Sequence, residues 1–111
     1  MKKKILILGG SGFIGHNLIK FLLDKKNYDI HATFNKNPIF IKSTKIKKFK
    51  INLNNEENIN KLFKKGKYHY VVMSAGEIFN LRSNKKNLKE KVLNNISIHT
   101  NCLKNVIKYK E

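Results

Sequence analysis

The fold is decided by the stretch Gly9-Gly10-Ser11-Gly12-Phe13-Ile14-Gly15. It contains the pattern G-x-x-G-x-x-G, directly after the continuous apolar run Lys4–Leu8. The residues after it recur as apolar positions at helical spacing, from Ile14 to about Asp24. A short apolar run with no polar alternation is typical of a strand buried on both faces of a parallel sheet. The glycines therefore form the turn between a first strand and a first helix.

Each glycine of the turn answers a physical requirement. Gly9 lets the chain leave the strand in a tight turn, Gly12 lets the backbone approach a diphosphate closely, and Gly15 lets the helix pack tightly on the strand. The exposed N–H groups and the positive dipole end of the helix then hold the diphosphate. No Gly-Lys-Ser/Thr follows, which excludes a Walker-type phosphate loop. The alternative is a glycine-rich turn that binds no ligand.

The rest of the chain alternates predicted strands and helices. After the first helix we expect, in chain order, a strand Ile30–Phe34, a loop over 35–43, a strand Ile46–Leu53, a helix from Asn55 to Gly66, a strand Tyr70–Met73, a turn over 74–76, and a long helix from about Lys86. This last helix carries an apolar stripe made of Leu88, Val92, Ile96, His99, Leu103 and Val106. Strands that alternate with helices predict an α/β fold with a parallel sheet and right-handed crossovers.

Length and composition limit the possible classes of protein. The 111 residues suffice for one small domain, which we expect to span residues 1–111. No apolar run approaches the roughly 18 residues of a membrane span, and the run after the basic start is too short for a signal peptide. The single cysteine, Cys102, excludes an internal disulfide and a cysteine-based zinc cluster. These features predict a cytoplasmic protein with no membrane partner and no metal site.

The net charge of +17 raises the question of nucleic-acid binding. The chain has 23 lysines and one arginine, Arg82, whereas proteins that read nucleic acid depend on arginine for bidentate and stacking contacts. The lysines are also scattered along the sequence in pairs rather than gathered in one motif. We therefore expect a solvated lysine surface and do not expect nucleic acid as a partner. A basic protein that binds nucleic acid or an anionic surface remains the alternative.

The stretch Gly9–Gly15 resembles the cofactor signature of the extended short-chain dehydrogenase/reductases, the NAD(P)-dependent sugar-nucleotide epimerase/dehydratase family. The resemblance continues over essentially all 111 residues. It implies a Rossmann-like parallel sheet with flanking helices, truncated after the fourth strand and its following helix. It also implies that nicotinamide dinucleotide is the ligand of the glycine turn. The cofactor-binding residues implied in the turn are Gly9, Gly12, Phe13, Ile14 and Gly15.

Three further segments match the family's pattern and extend the implied cofactor site. Asn52-Leu53 lies where the family has Asp-Leu or Asp-Val, whose first residue contacts the adenine. The turn formed by Ser74, Ala75 and Gly76 is similar to the family's Ala-Ala or Ala-Gly turn beside the nicotinamide ribose. In the last helix, Asn95 and Asn101 match the two asparagines of the family's Asn-x-x-x-x-x-Asn-Leu-Leu, and we include Asn95 in the site.

The end of the second strand bears on the choice between NAD and NADP. NAD-binding members carry an acid there for the ribose 2′-hydroxyl, and NADP-binding members carry a basic residue nearby. This chain has no acid in 32–36; Asn35 occupies the position of the arginine in the Ala-Thr-Tyr-Arg pattern of NADP-using reductases. Lys36 is placed to meet a 2′-phosphate. We expect NAD or NADP as cofactor, with NADP favoured.

The family's proton-transfer pair, Tyr-x-x-x-Lys, does not occur in the sequence, so we name no catalytic residue. The histidines at positions 16, 31, 69 and 99 lie on different predicted elements, and we assign no role to Cys102 or Glu77. We therefore expect an NAD(P)-binding module that is inactive alone, because the catalytic and substrate-binding half is absent. A complementing chain is one possibility, and a non-functional remnant is the other alternative. The unpaired edge of the fourth strand and the apolar final helix predict self-association.

Overall fold

The computed structural model describes residues 2–76 and 84–109. Its elements, in chain order, are β1 (Lys3–Leu8), α1 (Phe13–Lys25), β2 (Tyr28–Phe34), β3 (Ile46–Lys50), α2 (Glu56–Gly66), β4 (Tyr70–Met73) and α3 (Lys85–Lys108). The order is the one that the sequence predicts. In the described part of the chain, no helix combines the length and the apolar character needed to cross a membrane.

The four strands form one sheet in the order β3-β2-β1-β4, and every neighbouring pair is parallel. β1 pairs with both β2 and β4: Ile7 lies opposite Ala32 on one side and Val72 on the other. All the carboxyl ends of the strands consequently meet at one edge of the sheet. The predicted Rossmann-like α/β fold is confirmed.

The core lies on both faces of β1. Ile5 and Ile7 point toward α1 and pack in a cluster with Ile19 and Leu22 of that helix. On the other face, buried residues of β1, α2 and α3 form a second cluster with Leu53, which lies between β3 and α2. Its members are Leu6, Leu8, Leu53, Ile59, Leu62, Phe63, Ile98 and Cys102. Because both faces of β1 are covered, its sequence is a continuous apolar run rather than an alternating one.

The third strand is shorter than predicted, ending at Lys50 instead of Leu53. Asn52 causes the difference: its side-chain Oδ1 accepts the N–H of Asn54 at 2.9 Å, and its carbonyl accepts the N–H of Asn55 at 2.9 Å. This turn leads directly to Asn55, whose side chain caps α2 by accepting the N–H of Asn58. Leu53 is nevertheless buried, so its apolar character was a signal of packing rather than of strand pairing.

The last helix buries a different face from the apolar stripe predicted in the sequence. Ile98, Asn101, Cys102 and Asn105 face the molecule, and the Asn101 amide donates to the Leu53 carbonyl at 3.1 Å. The stripe lies on the outside instead, with Val92, Ile96, Leu103 and Val106 among the exposed large apolar side chains. β4 also forms one edge of the described sheet. The expectation of exposed apolar surface on the final helix is thus confirmed.

Candidate functional site

The glycine turn lies at the carboxyl edge of the sheet and is held by Thr33 at the end of β2. The Thr33 carbonyl accepts the N–H of Gly10 at 2.8 Å, and its hydroxyl oxygen accepts the N–H of Gly9 at 3.1 Å. Thr33 is buried, so water does not compete for these bonds. Sequence reasoning did not identify this residue. No signal in the sequence distinguishes Thr33, because β2 also carries the polar residues Asp29 and His31 and the two bonds depend on its pairing with β1.

Two glycines of the turn are required by the fold itself. Gly9 has φ +93°, and a Cβ there would lie 2.6 Å from the Ala75 Cα. A Cβ on Gly15 would collide with the Gly9 carbonyl oxygen and lie 3.0 Å from the Gly10 Cα. The tight turn predicted at Gly9 is therefore present. The close contact of Gly15 is with Gly9 and Gly10, the two residues that directly follow β1.

The remaining glycine of the motif, Gly12, has no such requirement. Its φ of −77° suits any residue, and a Cβ there would meet only the Gly9 carbonyl oxygen, at an ordinary 3.7 Å. It is the N-cap of α1, where no side chain of the described residues makes a capping bond, and the first turn of the helix holds no acid. Phe13 and Ile14 follow with 85% and 67% of their surface exposed. The start of α1 is thus an open, positively polarised surface that fits an anionic group.

The end of β4 closes against the same turn. Ser74 donates its backbone N–H to the Leu8 carbonyl at 2.9 Å, and its hydroxyl lies 2.9 Å from that carbonyl and 3.2 Å from the Gly9 carbonyl. Ala75 abuts Gly9, and a Cβ on Gly76 would lie 3.3 Å from the Asn95 Oδ1. The Ser74 hydroxyl therefore joins β4 to the glycine turn rather than standing free as a nucleophile. The structure brings the 74–76 turn, Asn95 and the glycine turn together.

The other predicted site residues follow the ends of β2 and β3 at this edge. Asn35 and Lys36 are exposed immediately after β2, and Asn52 is exposed two residues after β3. Leu53 is different, because its side chain packs in the second core cluster. Asn52, rather than Leu53, is the residue of that pair that presents a side chain at the edge.

His31 and Cys102 do not contribute to this arrangement. His31 is buried on β2, where its Nδ1 lies 2.8 Å from the Tyr68 hydroxyl. Burial raises the pKa of the Cys102 thiol to about 11, so it is protonated and unreactive at neutral pH. Among residues 2–76 and 84–109, no three His, Cys, Asp or Glu side chains are grouped as metal ligands. Glu77 lies outside the described residues.

Comparison with known families identifies the chain. The model of the NAD dependent epimerase/dehydratase family matches residues 5–110. The chain belongs to this family. The match covers the glycine turn, all of the described helices and all of the strands but for the first residues of β1. No functionally curated protein matches the sequence of this family member.

Solved structures share the fold of this family member. The UDP-glucose 4-epimerase of Thermotoga maritima, solved with UDP-glucose, has a TM-score of 0.83 at 21% identity over 96% of this chain and 35% of its own. The enzyme WbmH of Bordetella bronchiseptica, in complex with NAD+, has a TM-score of 0.81 at 17% identity over 98% of this chain and 36% of its own. The UDP-glucose 4-epimerase of Bifidobacterium longum, in complex with NAD+ and UDP, has a TM-score of 0.82 at 22% identity over 96% and 34%. The chain spans about a third of the length of these structures.

Proposed function

We propose that this chain binds a nicotinamide dinucleotide, with the pyrophosphate at the start of α1. The observation that carries the proposal is Gly12. Neither its backbone conformation nor any neighbouring atom of the described protein requires glycine there, whereas close approach of a phosphate group does. The N–H groups and dipole of the helix start supply the binding energy for the anion. The NAD+ found in the WbmH and Bifidobacterium longum structures supports this choice of ligand.

The remaining residues of the carboxyl edge position the two ends of the dinucleotide. Asn52 contacts the adenine, and the turn of Ser74, Ala75 and Gly76 lies beside the nicotinamide ribose together with Asn95. The bound nicotinamide supplies hydride transfer, and the protein's part is to hold and orient it. Small residues at 74–76 leave room for the ribose, and Ser74 keeps them in place through its bonds to the Leu8 and Gly9 carbonyls.

We further propose that turnover requires a Tyr-x-x-x-Lys pair from outside these 111 residues, because the pair does not occur in them. A second chain or a further segment, docked along β4 and α3, is the expected source. A nucleotide-linked sugar is the expected class of substrate, since the structural neighbours include UDP-glucose 4-epimerases. Self-association of the chain uses the same two surfaces, the β4 edge and the exposed apolar side of α3.

Replacing Gly12 by Val tests the cofactor site. The extended backbone at this position accepts Val and the Cβ enters open space, so the fold is retained while the side chain blocks the phosphate. We expect a loss of NADPH affinity of at least about tenfold, measured by the fluorescence of the bound nicotinamide. Thr44→Val is the control, because it adds the same side chain at an exposed position before β3, at the opposite end of the sheet.

Two results would contradict the proposal. Equal NADPH affinity of Gly12→Val and the wild type would exclude the glycine turn as the phosphate site. Absence of NADPH and NADH binding by the wild-type chain at millimolar concentration would favour the non-functional remnant.

We propose NADP rather than NAD as the preferred cofactor, on the basis of Lys36. It follows β2 at the exposed carboxyl edge, and 32–36 contains no acid to accept bonds from a 2′-hydroxyl. Lys36→Ala is expected to weaken NADPH binding about tenfold and NADH binding less than twofold, both measured by nicotinamide fluorescence at fixed salt. Lys42→Ala, at another exposed lysine of the same loop, controls for the change in net charge. An equal loss for both cofactors would rule out recognition of the 2′-phosphate by Lys36.

A further inference from the structure

A lysine-lined groove lies between β3 and α2, on the face of the sheet that α2 covers, and no residue of the glycine turn lines it. Its volume is about 510 Å³, and no acidic residue of the described chain lines it. Five lysines contribute to its wall: Lys4, Lys47, Lys50, Lys61 and Lys65. They are up to 61 positions apart in sequence but come together because β1 and β3 flank β2 and because α2 packs against that face. We call this the lysine groove.

The lysine groove continues into a second one. Lys4 and Lys47 line both, and the second groove, of about 560 Å³, adds Lys2, Lys45 and Lys67. Asp29 is the one acid among the described residues that line this second groove. The combined surface is therefore strongly cationic, with eight lysines and one acid among the residues that line the two grooves. A ligand that follows both grooves needs several negative charges.

The floor of the lysine groove is aromatic and fixed. Phe49 and Tyr68 line it, and the His31 ring lies next to both, at centroid distances of 5.7 and 5.2 Å. The Tyr68 hydroxyl is held by the His31 Nδ1 at 2.8 Å, and the Phe63 ring meets Tyr68 edge-on. Rings held by their neighbours lose little conformational freedom when a planar ligand packs on them. A cationic rim above an aromatic floor is the arrangement by which single-stranded nucleic acids are held.

We propose that the lysine groove and its continuation bind single-stranded nucleic acid independently of sequence, with phosphates on the lysines and bases against Phe49 and Tyr68. An acidic polypeptide would pair with the lysines, but it has no planar bases to pack against the aromatic floor. The scarcity of arginine, which argues against base reading, agrees with a sequence-independent mode, because lysine acts as a point charge on phosphate. The proposal departs from the expectation based on sequence, since the fold gathers lysines that the sequence scatters.

The test uses fluorescence anisotropy with fluorescein-labelled twelve-nucleotide oligo(dT) and oligo(dA). The Lys47→Gln/Lys65→Gln double variant is expected to bind both at least tenfold more weakly at 100 mM salt. Its slope of log affinity against log salt should fall by about 1.4, or about 0.7 for each phosphate of a single strand that a lysine no longer neutralises. The control, Lys20→Gln/Lys89→Gln, removes the same charge from exposed positions on α1 and α3 and should weaken binding less than threefold. Equal effects in the two double variants would mean diffuse attraction and would overturn the proposal.

A second variant tests the aromatic floor. Phe49→Leu keeps an apolar side chain and should weaken oligo(dT) binding at least threefold while leaving inorganic polyphosphate, which has no base, unaffected. An equal effect on both ligands, or polyglutamate binding as tightly as oligo(dT), would overturn the role of the rings. Saturating NADPH should not displace the oligonucleotide, because the groove and the glycine turn are separate. Displacement by NADPH would place the oligonucleotide in the cofactor site and also contradict the proposal, whether or not the chain's cofactor function holds.

Discussion

Thr33 supports the glycine turn through its backbone carbonyl and its side-chain hydroxyl, and only the second of these requires a particular residue type. The carbonyl bond to Gly10 needs only the backbone, whereas the bond to Gly9 needs a hydroxyl at this buried position. The tight turn at Gly9 could be predicted from the motif, since a positive φ favours glycine. The role of Gly12 stays a prediction. Thr33 could not, because its role depends on the pairing of β1 with β2 and on the depth of its side chain.

Thr33→Val is expected to lower the free energy of unfolding by about 1–2 kcal/mol, because it leaves the Gly9 N–H without its acceptor in a partly buried position. It should also weaken NADPH binding several-fold, since the turn is less well held. Urea denaturation and nicotinamide fluorescence measure the two effects. Thr33→Ser keeps the hydroxyl and should restore most of the affinity. If Val and Ser behave alike, the hydroxyl bond has no part in supporting the turn.

Among the elements, the sequence pattern predicts a strand or helix well where burial of apolar side chains alone determines that pattern. β1 is buried on both faces and α2 has a clear apolar side, so both follow the sequence. β3 ends early because the Asn52 turn takes the chain out of the sheet, and the alternation through Leu53 hides that turn. In α3 the apolar stripe predicted the helix but not its buried face, because Asn101 and Asn105 are buried through bonds to carbonyls. Such bonds have no periodic signature.

β2 buries a titratable residue on its α2 side, which makes the sheet sensitive to acid. Burial lowers the pKa of His31, while Asp29, whose Oδ1 lies 3.3 Å from the His31 Nε2, partly opposes this shift. In the unfolded chain His31 takes up a proton near its ordinary pKa of 6.5, whereas the folded chain resists protonation. The unfolded state therefore binds more protons as the pH falls below about 6.5, and the free energy of unfolding decreases.

Urea denaturation between pH 8 and pH 5 checks this prediction. The wild type should lose stability below about pH 6.5 relative to His31→Gln, which has no proton to gain at this position. The comparison uses the difference between the two curves, because every other ionisable group is common to both proteins. Parallel curves down to pH 5 would mean that His31 is protonated as easily in the folded protein as in the unfolded chain.

The whole molecule combines a net charge of +17 with an exposed apolar side on α3. Charge repulsion opposes association, whereas the apolar side chains and the β4 edge favour it. Ile96 and Leu103 are both exposed members of the stripe, and Leu103 also borders a cavity lined by Phe63 and other members of the second core cluster. We expect the apolar contribution to dominate at physiological salt, where repulsion between surface charges is screened.

Ile96→Glu/Leu103→Glu is therefore expected to shift the chain toward the monomer, measured by analytical ultracentrifugation, with urea denaturation to check that the variant stays folded. The Asn37→Glu/Thr44→Glu variant is the control, because it adds the same charge at exposed loop positions away from α3. Association that falls equally in both variants would indicate a general effect of charge. Unchanged association in the α3 variant would exclude this side of the helix as the interface.

The contact between Ala75 and Gly9, with the Ser74 hydroxyl against the Leu8 and Gly9 carbonyls, has a mechanical consequence. The end of β4 and the glycine turn are joined by these contacts, so a displacement of one moves the other. A neighbouring strand that pairs with β4 and fixes its position would reduce the mobility of the glycine turn. The affinity for the dinucleotide would then depend on whether a strand is paired with β4, so assembly and cofactor binding would be coupled.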